Sequence, residues 1–429
     1  MRYPQLQSSL NALLSSATPA IARILDRALS GEDISVEEAT QLFDASGTDL
    51  LIMTATADYL RQKAVGDVVT YVVNRNINFT NVCVKACGFC AFSRGHLAEE
   101  GYFLPLEEIV RRAQEAWELG ATEVCVQAGL APGIDGWYYV KLCKALKEAL
   151  PELHVHGFSP EEVLYGSTLA GVTLRDYLSA LRDAGVGSLP GTSAEILVDE
   201  VRDKISPGRI PTAKWVELIE TAHALGIPTT STIMYGHVEN SRHKAVHLGI
   251  LRDIQKRTGG ITEFVPLSFV YEEAPMVHRN RISGLRRGAT GAEVMKMYAV
   301  SRIMLSNWIP NLQVSWVKEG PKLAQIGLMA GANDFGGTLI NESISTAAGA
   351  GHGQLMKPSQ FRELIRDMGR IPAERSTTYK RLRIFETGEK PVDQLDQVQD
   401  PDERFGSYHS LIQLKGYRFR DFYQSRKNS

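Results

Sequence analysis

The chain has 429 residues, of which 44% are hydrophobic and 22% charged, with a formal net charge of −2. This is the make-up of an ordinary globular protein with a large core, and the near-neutral balance gives no footprint for nucleic acid or an anionic membrane surface. No apolar run reaches the ~18 residues of a membrane span, and no basic head followed by an apolar core marks the N-terminus, so neither a membrane anchor nor a secretion signal is expected.

In chain order, the stretch 19–60 carries helical patterns. Ser35 stands as an N-cap with Glu38 three residues later, the spacing of a capping box. The β-branched and aromatic segment 71–80 reads as a strand, and "NVCVKACGFCAF" follows at its C-terminal end. Alternating units come next: a helix over 105–119, a strand over 122–129, a helix over 137–150 and a strand over 154–159. A helix over 174–184 precedes a short strand at 187–190. A helix over 212–225 leads to a strand over 229–236, and further strands are expected at 262–270, 312–317 and 333–337, separated by helices at 292–306 and 322–329. Such alternation implies parallel β/α units, and about eight of them suit a (β/α)8 barrel whose active site lies at the C-terminal strand ends. The expected organisation is a helical N-terminal extension (1–64), a barrel (65–345) and a C-terminal extension (346–429) whose charged tail after about Leu382 reads as partly irregular.

Five cysteines are an odd count, and three of them, Cys83, Cys87 and Cys90, fall within eight positions. That is unlike a disulfide framework and fits a reducing cytoplasm. Buried packing cysteines and a zinc site completed by His96 are the alternatives to a [4Fe–4S] cluster. Zinc wants four tetrahedral ligands, whereas three thiolates leave one cluster iron open for a substrate or cofactor.

C-x3-C-x2-C with an aromatic, Phe89, before the last cysteine resembles the signature of the radical S-adenosylmethionine superfamily. The resemblance implies that the open iron chelates S-adenosylmethionine and that the backbone near Phe89 meets its adenine. It also implies cofactor contacts at Gln127, Ala128 and Gly129, at Ser159, at Glu195 of "GTSAEI", and at Gly236 and Glu239 of "TIMYGHVE". Without it, Ala128-Gly129 is a tight turn and Glu195 a carboxylate favoured by a helix N-terminus. His154 and His156 share one strand face and read as layered barrel residues, His237 as a structural histidine, and Arg94 as either a carboxylate ligand or a loop pin.

Longer stretches, "NINFTNVCVKACGFCAFSR", "EFVPLSFVYEEAP" and "VSWVKEGPKLAQIGLMAGANDFGGTLINESIS" among them, resemble the CofH family of deazariboflavin synthase subunits. This implies coupling of L-tyrosine to 5-amino-6-(D-ribitylamino)uracil with release of 2-iminoacetate, a reductant protein, and a ring-closing radical partner, CofG. The catalytic residues are not identified. Aminofutalosine synthase of menaquinone biosynthesis and a non-catalytic Fe–S protein are the rival readings.

Overall fold

The structure, a computed structural model, describes residue 10 and residues 12–427 other than 281, 387 and 390. The opening of the N-terminal extension, where a secretion signal would stand, lies outside the described residues. β1 (Val68–Val72) and β2 (Asn74–Ile77) form one bent stave. β2 pairs in parallel with β3 (Glu123–Val126), and β3 with β4 (His154–His156). Single bridges at His156–Ser188 and Leu189–Thr229 carry the wall to β5 (Thr229–Tyr235), which pairs with β6 (Ile261–Ser268). Bridges from Phe264 to Leu312 and from Gln313 to Asp334 then reach β7 (Asp334–Gly337), which pairs with β1 and closes the ring. The expected parallel barrel is therefore present. Its strands are buried on both faces, as parallel sheets covered by helices require.

Two expected strands are reduced to bridges. Residues 187–190 pair through Ser188 and Leu189, and 312–317 through Leu312 and Gln313, because Trp316 already opens the helix Trp316–Met329. Helices also lie where no element was expected, among them Pro160–Ala170, Asp199–Ile205 and Ser241–Thr258.

Ser35 and Glu38 form the capping box expected of them, with Ser35 Oγ accepting from Glu38 N at 3.1 Å and Glu38 Oε2 from Ser35 N at 2.7 Å. The helices Val36–Asp44 and Thr48–Val65 pack on Ser241–Thr258 and Gly291–Leu305, so the N-terminal extension covers the barrel wall.

Chain from beyond residue 345 joins the barrel sheet. β8 (Ile371–Arg375) pairs in parallel with β1 at the base of the barrel, and β9 (Arg381–Ile384) returns antiparallel to it. Arg375 at the end of β8 reaches Asp334 with Nε at 2.5 Å and Nη2 at 3.0 Å, and the Tyr379 hydroxyl donates to Glu263. The base is thus closed by chain from beyond 345. The tail holds buried side chains among its irregular stretches. Leu395, Phe405, Tyr408, Leu411 and Phe419 are buried, and the chain crosses back over the cysteine loop, where Phe103 N donates to Tyr417 O and Phe419 N to Gly101 O. The low aliphatic content of this segment hid a few well-placed aromatics, each able to bury a large area. Residues 387 and 390 of this stretch lie outside the described residues.

Candidate active site

A cavity of about 410 Å³ runs down the barrel axis. Cys83, Cys87 and Cys90 line its mouth, together with Phe89, Gln127, Ala128, Gly129, Ser159 and Glu195. The loop after β2 is held at both ends. Cys83 N donates to Arg94 O and Arg94 N to Asn81 O, while Val84 N reaches Leu130 O and Gly88 N reaches Ile205 O. Arg94 directs its guanidinium to Glu100, at 2.5 Å, and to the carbonyls of Ala91 and Ser93, so it pins the loop. Gly129 lies directly beneath the loop, where a Cβ would stand 2.3 Å from Val82 O. Only glycine permits that approach.

Among the described residues no three His, Cys, Asp or Glu side chains gather closely enough for a single metal ion. A cluster makes a different demand, one thiolate per iron at separate corners, and all three cysteines line this one cavity. Burial pushes the Cys87 thiol up to about 12 and raises Cys90 as well. Iron bound as thiolate ligands demand would reverse that, since coordination deprotonates a thiol outright.

The cysteine rim is backed by charges that the sequence did not single out. Arg209 places Nη1 3.5 Å from Cys87 Sγ, Nη2 3.5 Å from Glu195 Oε1 and Nε 3.5 Å from Glu161 Oε2. Its guanidinium stands 5.9 Å from the Phe89 ring centroid. Lys85 Nζ is 3.2 Å from Glu161 Oε1. Glu195 also meets Arg202 Nη1 at 3.4 Å. It precedes the helix Asp199–Ile205 by four residues, and Val198 holds the N-cap position, so Glu195 is a cavity carboxylate and not a helix-terminal one. Arg209 sits in "ISPGRIP", a loop with no periodic signal, and only the fold reveals it.

Ser159 lines the cavity, but its hydroxyl caps the helix Pro160–Ala170, bonding Glu162 Oε2 at 2.5 Å and accepting from Glu162 N at 3.3 Å. Glu162 in turn accepts from Ala128 N at 3.0 Å, and burial pushes its carboxyl up to about 7. Gln127 Oε1 accepts from the Thr192 hydroxyl at 3.1 Å.

Gly236 and Glu239 stand apart from the cavity wall. Gly236 has φ +94° and a Cβ there would lie 2.5 Å from Ala289 N, so a side chain would strike the 288–289 backbone and not the cavity. Glu239 accepts from Gly236 N and His237 N, both at 2.8 Å, and pairs with Arg286. They hold the turn after β5, while Thr232 and Met234 of that strand line the cavity. His237 is a satisfied structural histidine, with Nε2 2.9 Å from Met234 O and Nδ1 accepting from Val238 N at 2.8 Å. His154 and His156 both reach the Ser188 hydroxyl at 2.7 Å, a layered barrel contact.

The radical SAM superfamily model matches residues 77–248, and the CofH/MqnC C-terminal region matches residues 258–387. The 5-amino-6-(D-ribitylamino)uracil–L-tyrosine 4-hydroxyphenyl transferase of Methanothermobacter thermautotrophicus is 49% identical over 360 residues, covering 84% of this chain and 97% of that protein. Its namesake in Methanocaldococcus jannaschii is 48% identical, covering 82% and 98%. Among solved structures, the [FeFe]-hydrogenase maturase HydG superposes with a TM-score of 0.66 at 18% identity, over 88% of this chain and 80% of that one. Methylornithine synthase (PylB) superposes with a TM-score of 0.59 at 19% identity, over 82% and 97%. These two likenesses establish the fold.

Proposed function

The chain belongs to the family of 5-amino-6-(D-ribitylamino)uracil–L-tyrosine 4-hydroxyphenyl transferases within the radical SAM superfamily, and on that premise we propose that it joins the 4-hydroxybenzyl group of L-tyrosine to 5-amino-6-(D-ribitylamino)uracil, releasing 2-iminoacetate. Its cofactors are a [4Fe–4S] cluster and S-adenosylmethionine. Bound together they supply a 5'-deoxyadenosyl radical, which is the cofactors' own chemistry.

The protein contributes position, charge and exclusion of water. Cys83, Cys87 and Cys90 would hold the cluster at the cavity mouth. Gln127, Ala128 and Gly129 would receive the methionyl end of the cofactor, Glu195 would meet its methionyl or ribose part, and the backbone at Phe89 would face adenine. Ser159 and Glu162 brace Ala128 from behind. Gly236 and Glu239 act one step removed, by shaping the turn after the cavity-lining residues Thr232 and Met234. The apolar wall made by Val265, Leu267, Phe269 and Leu339 keeps water from the reacting centre. A reductant protein delivers the electron, and a ring-closing radical enzyme of the CofG kind takes the product onward.

The observation that carries this reading is a single axial cavity with three cysteines at its mouth, in a chain 49% identical to a transferase named for this reaction. The test is an anaerobic incubation of reconstituted protein with tyrosine, the ribitylaminouracil, S-adenosylmethionine and a reductant, read by mass spectrometry. The expected products are the benzylated uracil adduct, 5'-deoxyadenosine, and glyoxylate from hydrolysis of 2-iminoacetate. Incorporation of the adenosyl group into product would overturn the proposal in favour of an aminofutalosine synthase.

A further inference from the structure

The end of the cavity remote from the cysteines is polar, and nothing in the cofactor reading uses it. The cysteines follow the C-terminal end of β2, whereas Glu123 opens β3 and Glu263 is the third residue of β6. These two, with Asn76, His156, Gln313 and Arg375, line the deep part of the same cavity.

Some of this floor is closed upon itself. Arg375 is engaged by Asp334 and lies 3.5 Å from Glu263, which also accepts the Tyr379 hydroxyl. The rest is left with bonding capacity. Asn76 Oδ1 is buried and has no hydrogen-bond partner among the described residues. His156 bonds Ser188 through Nδ1, and its Nε2 has none among them. Glu123 accepts from Asn74 Nδ2 at 2.8 Å through Oε1, and the Thr377 hydroxyl also lies against its carboxylate. Gln313 accepts from Arg375 through Oε1 at 3.5 Å, leaving its two Nε2 hydrogens.

Buried polar groups without partners are costly, and a native cavity that keeps several is set up for a ligand that completes them. The set is mixed: carboxylate and amide oxygens accept, an amide NH₂ donates, and an imidazole nitrogen does either. A hydroxyl both donates and accepts, so a chain of hydroxyls satisfies such a set. A lone phenol would leave most of it unmet, and a fixed charge of either sign would match only part.

We infer that the barrel floor is the subsite for the polyhydroxylated ribityl chain of the uracil substrate, and that it directs the uracil ring up toward the cysteine end. This rests on the transferase reading above. It makes the chain length of the polyol, and not the heterocycle alone, the feature the enzyme selects.

The test compares anaerobic holoenzyme binding of 5-amino-6-(D-ribitylamino)uracil with that of 5,6-diaminouracil, which lacks the polyol, by isothermal titration calorimetry. Wild type is expected to prefer the ribityl compound at least about tenfold, the equivalent of roughly one net hydrogen bond. Asn76→Leu and Glu123→Gln are each expected to shrink that preference to about twofold while affinity for 5,6-diaminouracil stays near the wild-type value. If Glu123→Gln does not fold, Asn76→Leu decides alone, because Asn76 Oδ1 has no internal bond to lose. No preference in wild type, or equal weakening of both ligands in Asn76→Leu, would overturn the subsite while adduct formation by wild type kept the transferase reading intact. Wild type that forms no adduct and binds neither uracil would remove both.

Discussion

Replacing Gly129 by alanine isolates the contact on which the cysteine loop rests. An ideal Cβ at this position would be 2.3 Å from Val82 O, 2.8 Å from Val82 C and 3.2 Å from Asn81 C. Ordinary contact begins at 3.4 Å, so the carbonyl must retreat by about 1 Å. The neighbours are backbone, which cannot rotate away as a side chain would. The segment is also tied in place, with Gly129 N on Thr80 O at 2.9 Å and Val84 N on Leu130 O at 2.9 Å. Overpacking of this kind costs about 1–3 kcal/mol, and the displaced residue adjoins Cys83. Gly129→Ala should therefore lower the thermal midpoint modestly and cut iron and sulfide content after anaerobic reconstitution to well under half of wild type. Gly95→Ala is the matched control in the same loop, since a Cβ there meets nothing within 4 Å. It should be indistinguishable from wild type in both measurements. A Gly129→Ala protein that retained full iron and sulfide would refute the claim that this glycine seats the loop.

Alanine at Cys83, Cys87 or Cys90 should each abolish cluster retention and S-adenosylmethionine cleavage, whereas Cys125→Ala and Cys143→Ala should keep both; iron analysis and a 5'-deoxyadenosine assay distinguish them. His223, bonded to Thr258 Oγ1 at 2.7 Å and Thr229 Oγ1 at 2.9 Å, is held down to about 4 by burial. Its folded pKa lies below the unfolded value, so the unfolded chain takes up the proton first and stability falls as pH drops from about 6.5 toward 4. Between pH 7 and 5 the wild type should lose about 2 kcal/mol relative to His223→Gln; parallel denaturation midpoints for the two proteins across this range would rule the assignment out. Phe419 is fully buried, with ring centroids of Phe103 at 6.2 Å and Tyr423 at 5.7 Å. Phe419→Ala should cost about 3–5 kcal/mol and speed proteolysis of the tail, and a tail still resistant to protease would contradict its role as a folded cover.

What could be read from the sequence, and what could not, divides along the range of the interactions involved. The strands at 229–235 and 261–268 were legible because runs such as "TTSTIMY" pair β-branched residues with burial on both faces. The helix Ser241–Thr258 was not, because its buried face includes Lys244, His247 and Arg252 beside Leu248 and Leu251, and no apolar stripe emerges. Lys244 is tolerated there by stacking 4.7 Å from the Phe43 ring, and Arg252 by donating to Ile34 O at 2.6 Å. Both partners come from the N-terminal extension some 200 positions away, so the polarity of this helix makes sense only after the extension has docked. The site divides in the same way. The proposed cluster cysteines are legible from their spacing within one loop, whereas Gly129 is singled out only through the resemblance and its close approach to Val82 is visible only in the fold. Arg209 neutralises Glu161 and Glu195 from an aperiodic loop. Arg375 enters the floor from a strand that belongs, by sequence order, to the tail. A buried carboxylate without a cation is penalised heavily. Glu263 near the floor is met by Arg375 and Glu195 at the mouth by Arg202 and Arg209, and of these Arg375 ties the C-terminal segment and Arg209 the 206–211 loop to the barrel.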